Sequence, residues 1–206
     1  MTVSSTPTLS RREFLYYVWA SSMALFLAEG GGAVLWFAVP RFKPGEFGGT
    51  FKLDLDKLPA PDDTPAPFDA GRFWLVNVGP ATEADPRHPA GQATQPGVLA
   101  IYKVCVHLGC LYDWKAVNNR FECPCHGSKY LKDGTRVHGP ASRNLDRFVV
   151  RALDAEGKVL AETARGDANQ NTGAGAPLAL PPGTAALQID TSLRVKGRNS
   201  SGSPTV

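Results

Sequence analysis

Residues 105–130 read CVHLGCLYDWKAVNNRFECPCHGSKY and hold all four cysteines of the 206-residue chain and two of its four histidines. They form two clusters: C-x-H-x-x-C at Cys105, His107 and Cys110, and C-x-C-H at Cys123, Cys125 and His126. Fifteen residues lie between His107 and Cys123, room for a short hairpin that sets one cluster opposite the other. Each cluster offers one thiolate and one imidazole and keeps one cysteine spare. Thiolate with imidazole suits zinc or an iron-sulfur centre, so donor type alone leaves both open. Zinc fingers group their cysteines and their histidines separately, and a C-x-H step fits that spacing poorly.

These residues resemble the Rieske iron-sulfur motif, C-x-H-x-G-C followed by C-x-C-H-G-S-x-Y. The resemblance implies one 2Fe-2S cluster, with Cys105 and Cys123 on the inner iron and His107 and His126 on the outer, more exposed one. It also implies a disulfide between Cys110 and Cys125, and hydroxyl donors in Ser128, to a bridging sulfide, and Tyr130, to a cysteine sulfur. Leu108 would cover the cluster and touch a quinol pocket. His107 and His126 would meet the quinol and couple electron to proton transfer. Downstream, Gly139-Pro140-Ala141-Ser142 stands where the family usually has Gly-Pro-Ala-Pro, so the covering loop lacks its second proline.

Outward from the motif, residues 98–104 (VLAIYKV) read as a buried strand running straight into Cys105. Residues 72–78 (RFWLVNV) read as another, and 51–55 alternate as a half-buried strand does. Asn118-Asn119 marks a turn whose returning strand delivers Cys123. Asp133-Gly134 starts a further turn, and residues 149–150 and 159–160 flank Glu156-Gly157 as a hairpin. Residues 80–97 lack periodicity, and His88 reads there as a solvated loop residue; His138 is expected at the surface. Residues 164–184, rich in Gly, Ala, Pro and Asn, read as a long surface loop. Residues 186–195 alternate as a returning strand, and a frayed tail follows from Lys196.

Towards the N-terminus, residues 1–9 are small and polar and are expected to lack order. Residues 10–15, SRREFL, resemble a twin-arginine export signal; the alternative is a pair of arginines holding a helix end on the cytoplasmic side by charge. Residues 14–39 are mostly apolar and as a helix reach roughly 40 Å, enough to cross a bilayer. Pro40 is expected to end the helix, with Arg41 and Lys43 in the far headgroup region. Glu29 and Gly30-Gly31-Gly32 interrupt the apolar run and point either to packing against a neighbouring helix or to a cleaved signal; the run resuming at Ala33 favours the anchor. Residues 41–50 contain three glycines and a proline and read as a tether.

The expected architecture is an all-β, antiparallel head with a small cluster-binding subdomain, carried on a single N-terminal transmembrane helix. Its parts are a cytoplasmic N-terminus at 1–13, the helix at 14–40, a hinge at 41–50 and the head at 51–163, the cluster part being 104–143. Loop, strand and tail follow at 164–206. A net charge of +3, scattered rather than striped, carries no sign of nucleic-acid binding. The implied disulfide needs an oxidising compartment, which puts the head outside a bacterial cell membrane with the N-terminus in the cytoplasm. The resemblance to the iron-sulfur subunit of bacterial cytochrome bc-type complexes implies partners: membrane quinol, a cytochrome b subunit, and a c-type cytochrome or similar electron acceptor. The alternatives are the small Rieske subunit of an arsenite oxidase, against which Tyr130 and the spanning helix argue, and a zinc-stabilised, membrane-tethered interaction module.

Overall fold

The structure is a computed structural model that describes residues 9–39, 44–92, 94–170 and 173–200. It divides into two units, Met1–Arg41 and Phe42–Val206. The lack of order expected of residues 1–8, the flanking positions Pro40, Arg41 and Lys43, and residues 201–206 lie outside the described residues.

The first unit is one helix, α1 (Arg11–Ala38). It begins three residues before the apolar run because Ser10 and Glu13 form a reciprocal capping box: Glu13 N–H donates to Ser10 Oγ (3.3 Å) and Ser10 N–H to Glu13 Oε2 (2.9 Å). The helix runs through Gly30–Gly32 without a break. No residue of α1 is buried, and large apolar side chains such as Phe14, Phe26, Leu35 and Phe37 stand exposed. By length and composition it suits a membrane span, where lipid covers such a surface on every side.

The second unit is built on two antiparallel sheets. The larger takes the order β1 (Thr50–Asp54), β11 (Ala186–Val195), β9 (Arg147–Leu153), β4 (Gly97–Tyr102), β3 (Phe73–Val78), β2 (Ala66–Phe68). A further strand, β10 (Val159–Glu162), pairs with β9 along residues 151–153, on the edge whose other half, 147–148, takes β4. The smaller sheet runs β5 (Asp113–Lys115), β6 (Arg120–Glu122), β7 (Lys129–Tyr130), β8 (Arg136–His138). Between β5 and β6 the chain turns at Asn119, the left-handed residue (φ 44°) of the expected Asn-Asn turn.

Strands β3 and β4 explain how the sheets join. Their near-continuous apolar runs bury both faces, and the alternation divides them between two cores. Phe73, Leu75, Val98 and Ala100 pack with Phe148, Val150, Leu187 and Ile189 on one side. Trp74, Val76, Leu99 and Ile101 pack on the other with Cys105, Tyr112, Phe121, Cys123, Tyr130 and Leu145. The smaller sheet is thus seated directly on the outer face of the larger one.

Four expectations are corrected here. The strand at 186–195 is a central strand between β1 and β9, so the head does not end at residue 163. Residues 164–184 are only partly a surface loop, because Ala168, Ala174 and Leu178 are buried and Leu178 bridges Val98. The described half of the tether is fastened to the head: Gly48 N–H donates to Thr191 Oγ1 (2.8 Å), and the Phe47 ring stacks 5.9 Å from Tyr102. Residues 196–200 do not fray but lie against the loop at 142–146.

His88 is corrected as well. The segment between β3 and β4 carries a short helix, α2 (Pro80–Glu83), and folds back so that the His88 side chain is only 7% exposed. Its Nε2 lies 3.4 Å from Oδ2 of Asp133, an ion-pair distance rather than a well-formed hydrogen bond, and its Nδ1 is 3.0 Å from the Asp85 carbonyl. Asp133 is buried, held also by Thr135 Oγ1 (2.7 Å) and by the nearby Arg147 guanidinium (3.9 Å). The Asp133 carboxylate raises the His88 pKa above its ordinary 6.5, against the opposing effect of burial. A raised folded-state pKa gives stability that is fully present below the unfolded value and is lost as pH rises through the folded value. His88→Gln is therefore expected to cost about 1.5 kcal/mol at mildly acidic pH and progressively less above neutrality, read by denaturant melts across pH. A parallel offset at every pH would refute the ion pair as its source.

Candidate metal centre

Two loops at the tip of the smaller sheet are closed by the same pair of backbone bonds. In the first, after β4, Cys105 N–H donates to the Cys110 carbonyl (2.8 Å) and Gly109 N–H to the Cys105 carbonyl (3.0 Å). In the second, after β6, Cys123 N–H donates to the Ser128 carbonyl (2.9 Å) and Gly127 N–H to the Cys123 carbonyl (3.1 Å). Each loop needs a left-handed residue just before it closes, and glycine supplies it at Gly109 (φ 82°) and Gly127 (φ 74°). The likeness in sequence spacing is therefore a likeness in shape.

The loops are joined by a disulfide between Cys110 and Cys125, whose Cα atoms are 6.6 Å apart. That leaves Cys105 and Cys123 as free thiols, both buried. The sulfurs of Cys110, Cys123 and Cys125 lie within 4.8 Å of one another, but a disulfide sulfur is no thiolate, so only Cys123 of that group can ligate. His107 and His126 are brought together at the outer end, ring centroids 4.8 Å apart and planes nearly perpendicular at 85°. His126 is exposed, His107 partly so, and Leu108 beside it is 70% exposed. Thiols lie inward and imidazoles outward.

Hydroxyls back the thiol side. The Tyr130 hydroxyl is 3.2 Å from Cys105 Sγ, within a fully buried side chain, and burial pushes its pKa well up, so it stays a protonated donor. Ser128 is also fully buried, and its Oγ accepts from Ala141 N–H (3.2 Å), leaving its own hydrogen free to donate elsewhere. Burial raises the Cys123 thiol pKa, offset in part by the N–H groups of Cys125 and His126. His138 is exposed, as expected. Sequence reasoning passed over Tyr112, whose buried ring lies 6.0 Å from that of Tyr130 and whose hydroxyl donates to the Tyr102 carbonyl (2.7 Å). Only its place in an apolar run could have suggested it.

The residues present fit a metal group. Two free thiols and two imidazoles converge from paired loops, and His107 Nδ1 is buried with no hydrogen-bond partner among the described residues, as a nitrogen reserved for a metal would be. Buried sulfur donors beneath outward nitrogen donors, in disulfide-locked loops, suit a protein built around a metal group with mixed sulfur and nitrogen ligation.

Comparison with known proteins agrees. Residues 90–149 match the family model for the Rieske [2Fe-2S] domain. The chain is 31% identical over 157 residues to the cytochrome b6-f complex iron-sulfur subunit 1 of Synechocystis, covering 72% of this chain and 83% of that protein. It is 31% identical over 153 residues to the cytochrome b6-f complex iron-sulfur subunit of Synechococcus elongatus, covering 73% and 84%. Among solved structures, the cyanobacterial plasma membrane Rieske protein of Synechocystis aligns over 47% of this chain and 81% of its own, at 25% identity and a TM-score of 0.31. The chain belongs to the Rieske 2Fe-2S protein family.

Proposed function

We propose that this chain is the electron-transfer subunit of a cytochrome bc- or b6f-type complex, taking one electron from a membrane quinol held by a cytochrome b subunit and passing it to a c-type cytochrome or similar acceptor. The observation that carries this is the pair of imidazoles at the exposed tip, above two buried thiols and beside the exposed Leu108. The relatives' names, as iron-sulfur subunits of cytochrome b6-f complexes, support the same reading.

Cys105 and Cys123 would hold the inner iron and His107 and His126 the outer one. When bound, such a cluster accepts one electron at a potential of about −150 to +300 mV. Tyr130, whose hydroxyl lies 3.2 Å from Cys105 Sγ, and Ser128, through its free hydroxyl hydrogen, would donate toward sulfur and so favour the more negatively charged, reduced state. His107 and His126 would each keep one ring nitrogen off the metal; with that nitrogen deprotonated, the imidazole would accept a hydrogen bond from a quinol hydroxyl and take up its proton. Leu108 makes apolar contact with the quinol's surroundings and keeps water from the site. The disulfide supports a head on the oxidising side of a bacterial cell membrane, with α1 as a single-pass anchor, its N-terminus cytoplasmic and protons released outside.

The reading is tested on the purified full chain. A reduced sample is expected to give an electron paramagnetic resonance signal with average g below 2 and to contain acid-labile sulfide; zinc without sulfide would establish the structural-module alternative instead. Co-purification with a haem-bearing cytochrome b, and quinol-dependent cytochrome c reduction by that preparation, test the complex.

Tyr130→Phe removes the hydroxyl at Cys105 Sγ while keeping the ring. If reduction strengthens that bond by about 1 kcal/mol, the midpoint potential is expected to fall by roughly 40 mV in a redox titration. An unchanged midpoint would remove Tyr130 from the tuning of the site. Tyr130 and the spanning helix with its tether argue against the arsenite-oxidase alternative.

A further inference from the structure

The loop that covers the site, residues 139–142, is pressed onto the second cluster loop. A Cβ on Gly139 would lie 2.4 Å from Ser128 Cα, and Gly139 itself adopts φ 94°. From this loop Ala141 N–H reaches Ser128 Oγ, so the loop's position sets which way that hydroxyl turns. A second proline at 142 would stiffen the loop by limiting its backbone freedom, and this chain has Ser142 there.

What holds Ser142 is the C-terminal end of the described chain. Its carbonyl accepts from both Ser200 Oγ (2.9 Å) and Ser200 N–H (3.2 Å). Asn199 bridges Arg143 in antiparallel fashion, Asn144 N–H donates to the Arg198 carbonyl (2.9 Å), and Gly197 N–H donates to the buried carboxylate of Asp146 (2.9 Å). Gly197 is there because nothing larger fits: an added Cβ would lie 2.1 Å from the Asn144 carbonyl oxygen. The buried Arg136 ties the start of the loop to this segment, its guanidinium donating to the Gly139 carbonyl and to Ser200 Oγ (3.3 Å). Its own N–H donates to Asn144 Oδ1 (2.9 Å), and Asn144 Nδ2 donates to Gln92 Oε1 (2.8 Å).

We propose that residues 196–200 form a strap that positions the covering loop, doing through Ser200, Arg136 and Gly197 what a proline at 142 would otherwise do, and thereby fixing Ser128 against the metal group. Ser200, Gly197 and Arg136 are positioning residues; none touches the reacting atoms. The proposal rests on the reading of residues 105–130 as cluster-holding loops.

The test uses the iron-loaded full chain in detergent, its variant ending at Lys196, and that variant with Ser142→Pro. Amide hydrogen exchange is followed in peptides covering 136–146 and, as an internal control, β9. Losing two or three hydrogen bonds at the loop is expected to speed exchange there by roughly 10- to 100-fold with β9 unchanged. The midpoint potential is expected to fall with it, and Ser142→Pro is expected to restore both. Unchanged exchange in 136–146, equal loosening of β9, or no recovery with proline would each overturn the proposal. If the truncated chain does not fold, Gly197→Ala in the full chain forces the strap from Asn144 and is read by the same criteria. Exchange reports the loop whether or not quinol is the donor, so loss of quinol activity with intact loop protection would count against the proposed function and not against the strap.

Discussion

A Cys123→Ser chain is expected to purify with its fold intact, without the low-g resonance, and with quinol-dependent electron transfer reduced more than about 100-fold, to background. Serine preserves the backbone bonds from Cys123 N–H to Ser128 and from Gly127 N–H to the Cys123 carbonyl, so the loop keeps its shape. What it removes is an ionisable sulfur in a buried position, and a hydroxyl does not ionise there. Circular dichroism would establish the fold, and iron and sulfide analysis the loss. Full iron with an unaltered spectrum would withdraw Cys123 from the ligand set, and with it the division into inner sulfur and outer nitrogen.

The disulfide predicts the second large effect. Its two cysteines are separated by 15 residues, a loop whose cross-linking is worth about 3 kcal/mol in the chain-entropy account. For a head of this size that corresponds to roughly 6–12 °C in melting temperature. The double variant Cys110→Ser, Cys125→Ser is the proper probe. A single replacement would leave a free thiol within 4.8 Å of Cys123 Sγ, able to compete as a ligand. The double variant is expected to melt lower by that amount and to surrender iron to a chelator faster, while the parent under reducing conditions falls to the same temperature. Melting within about 1–2 °C of the parent would show that the β5–β6 hairpin alone holds the loops together.

How much of this could be read beforehand depends on sequence distance. The two loops were legible because each proposed thiol ligand follows a strand: Cys105 lies just past β4 and Cys123 just past β6, with Gly109 and Gly127 marking the closures. The strands β3 and β4 were legible because burial on both faces leaves an unbroken apolar run. The placement of β11 was not, since the pairing of Ile189 with Phe51 on one side and Val150 on the other spans up to more than a hundred residues and leaves no local mark. His88 was misread for the same reason: its partner Asp133 sits in a turn of the other sheet. The strap at 196–200 is polar and glycine-bearing, like any loose tail, and only its bonds to 142–146 distinguish it. The Ser10–Glu13 box is a sequence pattern in its own right, but it lies outside the apolar run that marks the helix.

Strands β3 and β4 belong to two interiors at once. Phe73 faces one and Trp74, the next residue, the other, so no hinge line separates the metal-bearing tip from its base. Heat that melts either interior must pull apart the shared pair, and the head comes undone in one step. A movement that carries the tip from donor to acceptor therefore has to carry the base with it, as a hammer's face travels with its handle.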